Sequence, residues 1–329
     1  MESIPVSEVG ERPLIGLLAR IFNKSSNPYV AVGPGSDDCA VLEMPGDEYL
    51  VITTDMLHRK TDFPIQMTGW QIGWMSAAVN LSDIASMGAS PMGFLSAIGL
   101  PKDTDVSFVE DIAHGMADCA KACGTSVIGG DIDTHDELTI TGTALGIVPR
   151  HELLARKGAR IGDKVCVTGF AGSAGAALHA IESNIYVPDR LLKALLEPYP
   201  RVAEARELAR SGLVTSMMDT SDGLALSLHD LADINHVGFH IYESKIPIHD
   251  DIREHVTTDP GELTDLALYT GGDFDLLFTA SPDILDQIFP TFNLSIIGEV
   301  VEQSAGMRIE RNDGTNSSIN RKGYLQLGN

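Results

Sequence analysis

This sequence predicts an α/β fold of the α+β kind, in two domains whose mixed sheets have helices packed on them. Three observations lead there. Helical and extended patterns alternate through both halves of a 329-residue chain that is 43% hydrophobic, enough for two ordinary cores. The strands of the first half alternate apolar and polar residues, which suits a sheet covered on one face better than a doubly wound parallel sheet. The pattern then breaks at residues 149–163, PRHELLARKGARIGD, charged and punctuated by glycine. That break divides the chain into domains 1–148 and 149–329.

Taken in order, residues 12–24 have the spacing of a short amphipathic helix. A glycine- and proline-rich turn at 33–36 leads into a strand, and the β-branched run 49–54 forms a second strand that ends at Asp55. Residues 70–88 read as helix, 93–100 as strand and 107–123 as helix. A short strand at 126–128 ends in Gly129, Gly130 and Asp131, and 138–148 is a long strand of small and apolar residues. Beyond the break, 165–168 is a strand, followed by the loop GFAGSAGAA at 169–177 and a helix to 181. One or two helices fill 188–209, interrupted by Pro198 and Pro200. Residues 216–219 end a strand, Ser221 opens a helix running to 234, and 238–242 is strand. Helices at 263–269 and 281–289 alternate with strands at 274–280 and 295–301.

Net charge is −23 with a pI near 4.6, which argues against partners that are nucleic acids or acidic membranes. The four cysteines, Cys39, Cys119, Cys123 and Cys166, include no second pair at zinc-ligand spacing, and they fit a reducing, cytoplasmic compartment. The opening MESIPVSEVG carries acids where a secretory leader carries positive charge, and no apolar run reaches membrane-spanning length.

The chemistry is expected from acids placed where apolar runs meet turns. Asp83 sits in VNLSDIASMGASP, an otherwise apolar and small-residue helix at 79–91. Around it in sequence stand Asp37 and Asp38, Asp55 after Thr53 and Thr54, Asp131 after two glycines, and Asp219 and Asp222 flanking Ser221. Carboxylates at such positions can converge from distant parts of a chain. Oxygen-only ligands select Mg²⁺, Mn²⁺ or Ca²⁺ over zinc, and several Mg²⁺ ions on nucleotide phosphates permit phosphoryl transfer by positioning and charge neutralisation. No Ser–His–Asp or Cys–His arrangement stands out, so no catalytic side chain is assigned. The 169–177 loop offers backbone N–H groups at a helix N-terminus, a possible phosphate cradle or simply a tight turn.

The ordered set GPGSDDCAV, TTD, NLSDIASMGASP, IGGD, TSDGL and GGDFDLLFT resembles the thiamine-monophosphate kinase family. That family belongs to the superfamily of aminoimidazole ribonucleotide synthetase, selenophosphate synthetase and a hydrogenase maturation ATPase. The likeness covers residues 12–324. It implies a two-domain aminoimidazole ribonucleotide synthetase-like fold, a homodimer joined through the first sheet, and Mg²⁺-assisted in-line transfer from ATP to thiamine monophosphate. It also implies Mg²⁺ ligands at Asp38, Thr53, Thr54, Asp55, Asp83, Asp131, Asp219 and Asp222. ATP contacts fall at Gly129, Gly130, Asp131, Arg156 and Ser221, where a guanidinium such as that of Arg156 can fork onto phosphate oxygens.

The acceptor positions depart from the family. Asp62 stands where a histidine is usual, Gly272 where a glutamate is usual, and Arg321 where an aromatic residue is usual; either Asp62, Asp273 or Asp275 takes over the acceptor contacts or the acceptor differs. Cys123 replaces a tyrosine near the adenine. A selenophosphate synthetase would need a reactive cysteine near its start, and the maturation ATPase a C-terminal one, whereas this chain ends in Leu-Gly-Asn. Two alternatives remain at this stage: a kinase of another phosphomonoester, or a non-catalytic ATP- and metal-binding dimer.

Overall fold

The computed structural model describes residues 4–283 and 294–326. A short helix α1 (Val6–Val9) and the amphipathic α2 (Glu11–Phe22) precede the first sheet. Its strands are β1 (Val30–Val32), β2 (Ala40–Glu43), β3 (Glu48–His58), β4 (Ser90–Leu100), β5 (Val127–Thr134) and β6 (Thr139–Pro149). They stand in the order β1-β2-β3-β6-β4-β5, antiparallel except for the β4–β5 pair.

Helix α3 (Gly69–Ser86) packs on this sheet, and α4 (Val106–Ala122) packs on α3. Thr68 and Gln71 form a reciprocal capping box that starts α3. The two helices touch backbone to backbone: a Cβ at Gly73 would lie 1.9 Å from the Ile112 carbonyl oxygen, and one at Gly115 1.9 Å from that of Trp70. Only glycine allows this approach.

The second sheet contains β7 (Lys164–Thr168), β8 (Val214–Asp219), β9 (Val237–Tyr242), β10 (Leu276–Ala280), β11 (Leu294–Glu302), β12 (Met307–Glu310) and β13 (Asn316–Ser318). Its order is β13-β12-β9-β11-β7-β10-β8, with β9–β12 the parallel pair. Helices α5 (Ser173–Glu182), α6 (Asp189–Leu196), α7 (Val202–Ser211), α8 (Leu224–Asn235) and α9 (Pro260–Tyr269) belong to this half. Both sheets are mixed, as the strand pattern predicts.

The halves share an apolar cluster. Ala85 of α3 lies with Ala205 and Leu208 of α7, Met217 of β8 and Phe278 of β10. Helix α3 is therefore enclosed from both sides, and its polar residues Ser76, Asn80, Ser82 and Ser86 are buried with the rest.

Several elements differ from the sequence reading. Strand β3 continues past Asp55 to His58, because its whole length pairs with β6. Gly129, Gly130 and Asp131 lie inside β5 and not in a turn after it. A side chain at Gly130 would put Cβ 2.0 Å from the Ser96 carbonyl oxygen, so glycine there serves strand contact. Strand β10 starts at Leu276 and not at 274, since Phe274 takes a left-handed φ of 52°. The short strands β12 and β13 were not expected: β12 alternates apolar and polar residues over only four positions, and the polar β13 carries no apolar signal. The helix expected at 281–289 falls almost entirely outside the described residues, and 281–283 are not helical.

Candidate active site

Three carboxylates from three separate elements meet where the halves join. Asp38 follows the turn before β2, Asp83 lies on α3, and Asp219 ends β8; one oxygen from each lies within 4.8 Å of the others. Each is held by a hydroxyl. Ser86 Oγ donates to Asp38 at 2.8 Å, Thr53 Oγ1 to Asp83 at 2.6 Å, and Ser82 Oγ to Asp219 at 2.6 Å. The Cys39 thiol donates to the Asp83 carbonyl at 3.3 Å.

Asp55 stands beside this group on β3. Its backbone N–H donates to Asn80 Oδ1 at 3.1 Å and so is drawn towards α3. The opposing residue on β6 is Gly142, where a Cβ would lie 2.2 Å from Asn80 Nδ2. Small residues along β6 thus let α3 lie close enough to bring Asp83 and Asp55 together.

Burial is the leading cause of a common electrostatic strain. It pushes the Asp83 carboxyl well above the usual carboxylate range, with the neighbouring Asp55, Asp219 and Asp38 adding to the effect. Asp219 is pushed up to about 7 and Asp55 to about 6, in both cases by burial first and Asp38 second. Asp37, buried beside Asp38, is likewise pushed up to about 7. Protons cling to such a group because burial strips water from the charged form and the neighbouring carboxylates repel one another. The donor set is hard oxygen throughout, which fits a small divalent cation.

The nearest fixed cation is Arg156. Its Nε donates to Asp38 at 3.0 Å, a second guanidinium nitrogen reaches the same carboxylate, and its backbone N–H donates to Asp37 at 3.0 Å. Asn235 clamps this segment: its Oδ1 accepts from Gly158 and Ala159 at 2.6 and 3.0 Å, and its Nδ2 donates to the Arg156 carbonyl at 2.7 Å.

A second, more open group adjoins the first. Arg12 of α2 donates to Asp222 Oδ2 at 3.2 Å and also bonds Asp230. Arg321 lies 3.7 Å from Asp230 and bonds Asp233. Gln326 ties three segments together: its N–H donates to Glu11 at 2.9 Å and its side chain to Asp62 at 2.6 Å. Tyr324 N–H donates to the Asp222 carbonyl at 3.0 Å. Asp222 is pushed up to about 6 by burial, against the pull of Arg12.

The remaining sequence candidates are placed as follows. Thr54 Oγ1 donates to the Gly142 carbonyl at 2.7 Å within the sheet. Ser221 accepts at its carbonyl from the Gly272 N–H, at 2.8 Å, and Gly272 has a φ of 94° that suits glycine. Gly129, Gly130 and Asp131 are not part of the cluster within one chain. Gly130 stands level with Asp55 but three strands away, about 14 Å at ordinary strand spacing.

Of the two readings of the loop at 169–177, the contacts favour the tight turn. Its free donors are already satisfied: Asp273 accepts from Gly172 N–H at 2.6 Å and Ala174 N–H at 2.9 Å, capping α5 with its own carboxylate. The loop is a tight turn, not a phosphate cradle. Asp275 is likewise occupied, accepting from Arg201 at 2.7 Å and Thr168 at 3.1 Å. Sequence reasoning passed over Asn80, Ser82, Ser86 and Arg12. The signal for the serines was present: two hydroxyls one helical turn apart, either side of Asp83 in an apolar helix.

Comparison with known proteins gives consistent results. Residues 36–148 match the family AIR synthase related protein, N-terminal domain, and residues 160–309 match AIR synthase related protein, C-terminal domain. The thiamine-monophosphate kinase of Methanospirillum hungatei is 44% identical over 88% of this chain and 92% of its own. The structure of AaThiL complexed with AMPPCP and TMP superposes with a TM-score of 0.85 at 26% identity, covering 99% of this chain and 100% of that one. The crystal structure of thiamine-monophosphate kinase from Stenotrophomonas maltophilia K279a gives 0.75 at 30% identity, over 92% and 96%.

Proposed function

This chain belongs to the thiamine-monophosphate kinase family, and from that premise we propose that it transfers the γ-phosphoryl group of ATP to thiamine monophosphate, giving thiamine diphosphate. The observation that carries this reading is the convergence of Asp38, Asp83 and Asp219, hydroxyl-braced and short of positive charge. These residues, with Asp55 and Asp222 and the hydroxyl of Thr53, would hold several Mg²⁺ ions. Bound Mg²⁺ neutralises phosphate charge and fixes the donor and acceptor in line.

The protein's own groups do the rest. Arg156, clamped by Asn235, is placed to fork onto nucleotide phosphate. The acceptor's phosphate oxygen is already ionised near neutral pH, so the transfer needs no general base. Asp62, Gly272, Asp273 and Arg321 form the acceptor end of this reading, with Asp273 contributing through the α5 cap.

Residues 1–148 and 149–329 form its two domains, with the site at their junction. A homodimer fits the exposed edge strand β5, all eight of whose residues are exposed, Val127, Ile128 and Ile132 among them, with Met56 of β3 and Met92 of β4 also exposed. A second copy there would adjoin Gly129, Gly130 and Asp131, which lie outside the carboxylate cluster of one chain. No described helix is long and apolar enough to cross a membrane, and the cytoplasm is the compartment this reading assigns.

The test is ADP formation by the purified protein with ATP and Mg²⁺, with and without thiamine monophosphate, the product identified by mass. Acceptor-dependent ADP with thiamine diphosphate is expected, and Asp83→Asn should lower it by at least a hundredfold. ATP binding without turnover of thiamine monophosphate would overturn the acceptor assignment.

A further inference from the structure

We propose that Arg12 binds the phosphate of the acceptor, and that α2 is held across the site to deliver it. The inference rests on the functional reading above and adds a residue that the family likeness does not assign.

Helix α2 buries none of its residues, so packing into a core does not explain why it is held in place. Its attachments near the site are polar and lie at its N-terminus: Arg12 on Asp222 and Asp230, and Glu11 on the Gln326 N–H. Further along, Ala19 and Ile15 lie against Gly35 in the turn that precedes Asp37 and Asp38. The helix thus runs between the two halves, and each end of the run adjoins a carboxylate of the site.

The acceptor end is rich in negative charge. Glu11, Asp62, Asp222 and Asp230 all stand there. A phosphomonoester carries nearly two negative charges near pH 7; Mg²⁺ held at Asp222 would offset part of the repulsion, and Glu11, Asp62 and Asp230 leave the rest to a fixed cation of the protein. Arg12 and Arg321 both approach Asp230, but Arg321 is turned outward onto Asp233, whereas Arg12 reaches Asp222. Arg12 is about one-third exposed, so a ligand can reach it. Its Nε is shielded from solvent, and its terminal nitrogens bond Asp230 and, at a longer 3.2 Å, Asp222, so a phosphate would meet the exposed edge of the guanidinium in place of the Asp222 contact. Asp230 holds the guanidinium in a fixed position, and the planar fork matches two phosphate oxygens in a way that a lysine cannot.

The experiment is steady-state kinetics of full-length wild type, Arg12→Ala and Arg12→Lys with ATP, Mg²⁺ and thiamine monophosphate. A parallel titration of thiamine monophosphate into each protein holding AMPPCP and Mg²⁺ measures binding directly. Arg12→Ala should raise the KM and Kd for thiamine monophosphate at least tenfold while changing the KM for ATP less than twofold. Arg12→Lys, which keeps the charge and the helix, should fall between. Equal effects on both substrates, or unchanged acceptor affinity in Arg12→Ala, would overturn the assignment while leaving the kinase reading intact. A wild type that forms no thiamine diphosphate would overturn the kinase reading and this role together.

Discussion

Ser82 on α3 donates a 2.6 Å hydrogen bond to Asp219 at the end of β8, joining residues 137 positions apart in sequence. The bond crosses from the first half of the chain to the second. One turn further on, Ser86 donates to Asp38 within the first half, at 2.8 Å. Helix α3 therefore contributes one carboxylate and fixes the orientation of two others.

Ser82→Ala leaves Asp219 buried with one donor fewer. That donor favours the ionised carboxylate, so its loss should push the group's pKa higher and weaken cation binding. The Mg²⁺ concentration giving half-maximal activity should rise about tenfold, with a stability loss of about 1–2 kcal/mol. Magnesium titrations of activity, together with urea melts, check both figures.

Stability should respond to pH with an unusual sign. Asp37 and Asp219 are pushed up to about 7, and Asp55 and Asp222 to about 6, from an ordinary value of 3.8. Between pH 4 and 7 the folded protein binds more protons at these groups than the unfolded chain. Their contribution to stability is thus full at the acid end and lost as pH rises through 6 to 7. The melting temperature of the metal-free protein should fall across that window, and Mg²⁺ should restore it most at the alkaline end. Thermal melts from pH 5 to 8, with EDTA or with Mg²⁺, measure this. A metal-free melting temperature that rises over the window would contradict the assignment.

Asp273 caps α5, so its replacement should act on folding before it acts on substrate. Asp273→Ala strands the Gly172 and Ala174 N–H groups and should cost about 1–2 kcal/mol. In the protein that remains folded, the KM for thiamine monophosphate should change less than threefold. Denaturant melts and initial rates separate the two effects.

The fold and the metal cluster were legible for different reasons. Alternation of strand and helix patterns gave the mixed sheets, because one-sided burial leaves a period-two trace. Acids in an apolar context marked Asp38, Asp83 and Asp219, since burying such groups is costly without a function for them. Asp273 looks the same in sequence as those three. Only the fold shows that its charge is spent on two backbone N–H groups of a neighbouring helix. Strand β5 was misjudged because two glycines normally signal a turn, whereas here one of them admits a close neighbour. Arg12 gave no signal, because an arginine in the first turn of an amphipathic helix is ordinary. Its meaning depends on Asp222 and Asp230, more than 200 positions away.

The apolar cluster that joins Ala85 of α3 to Met217 and Phe278 of the second sheet bears on how the site can be lost. Many active sites sit on loops that open and close while the body of the protein stays folded. Here Asp83 belongs to a helix walled in by both sheets, whereas Asp219 is the last residue of β8, the edge strand of the second one. Asp83 should therefore stay fixed until the whole molecule melts, while Asp38, beside its turn, and Asp219, at the end of an edge strand, can part from it by local opening. Hydrogen exchange at α3 should then report the stability of the entire protein.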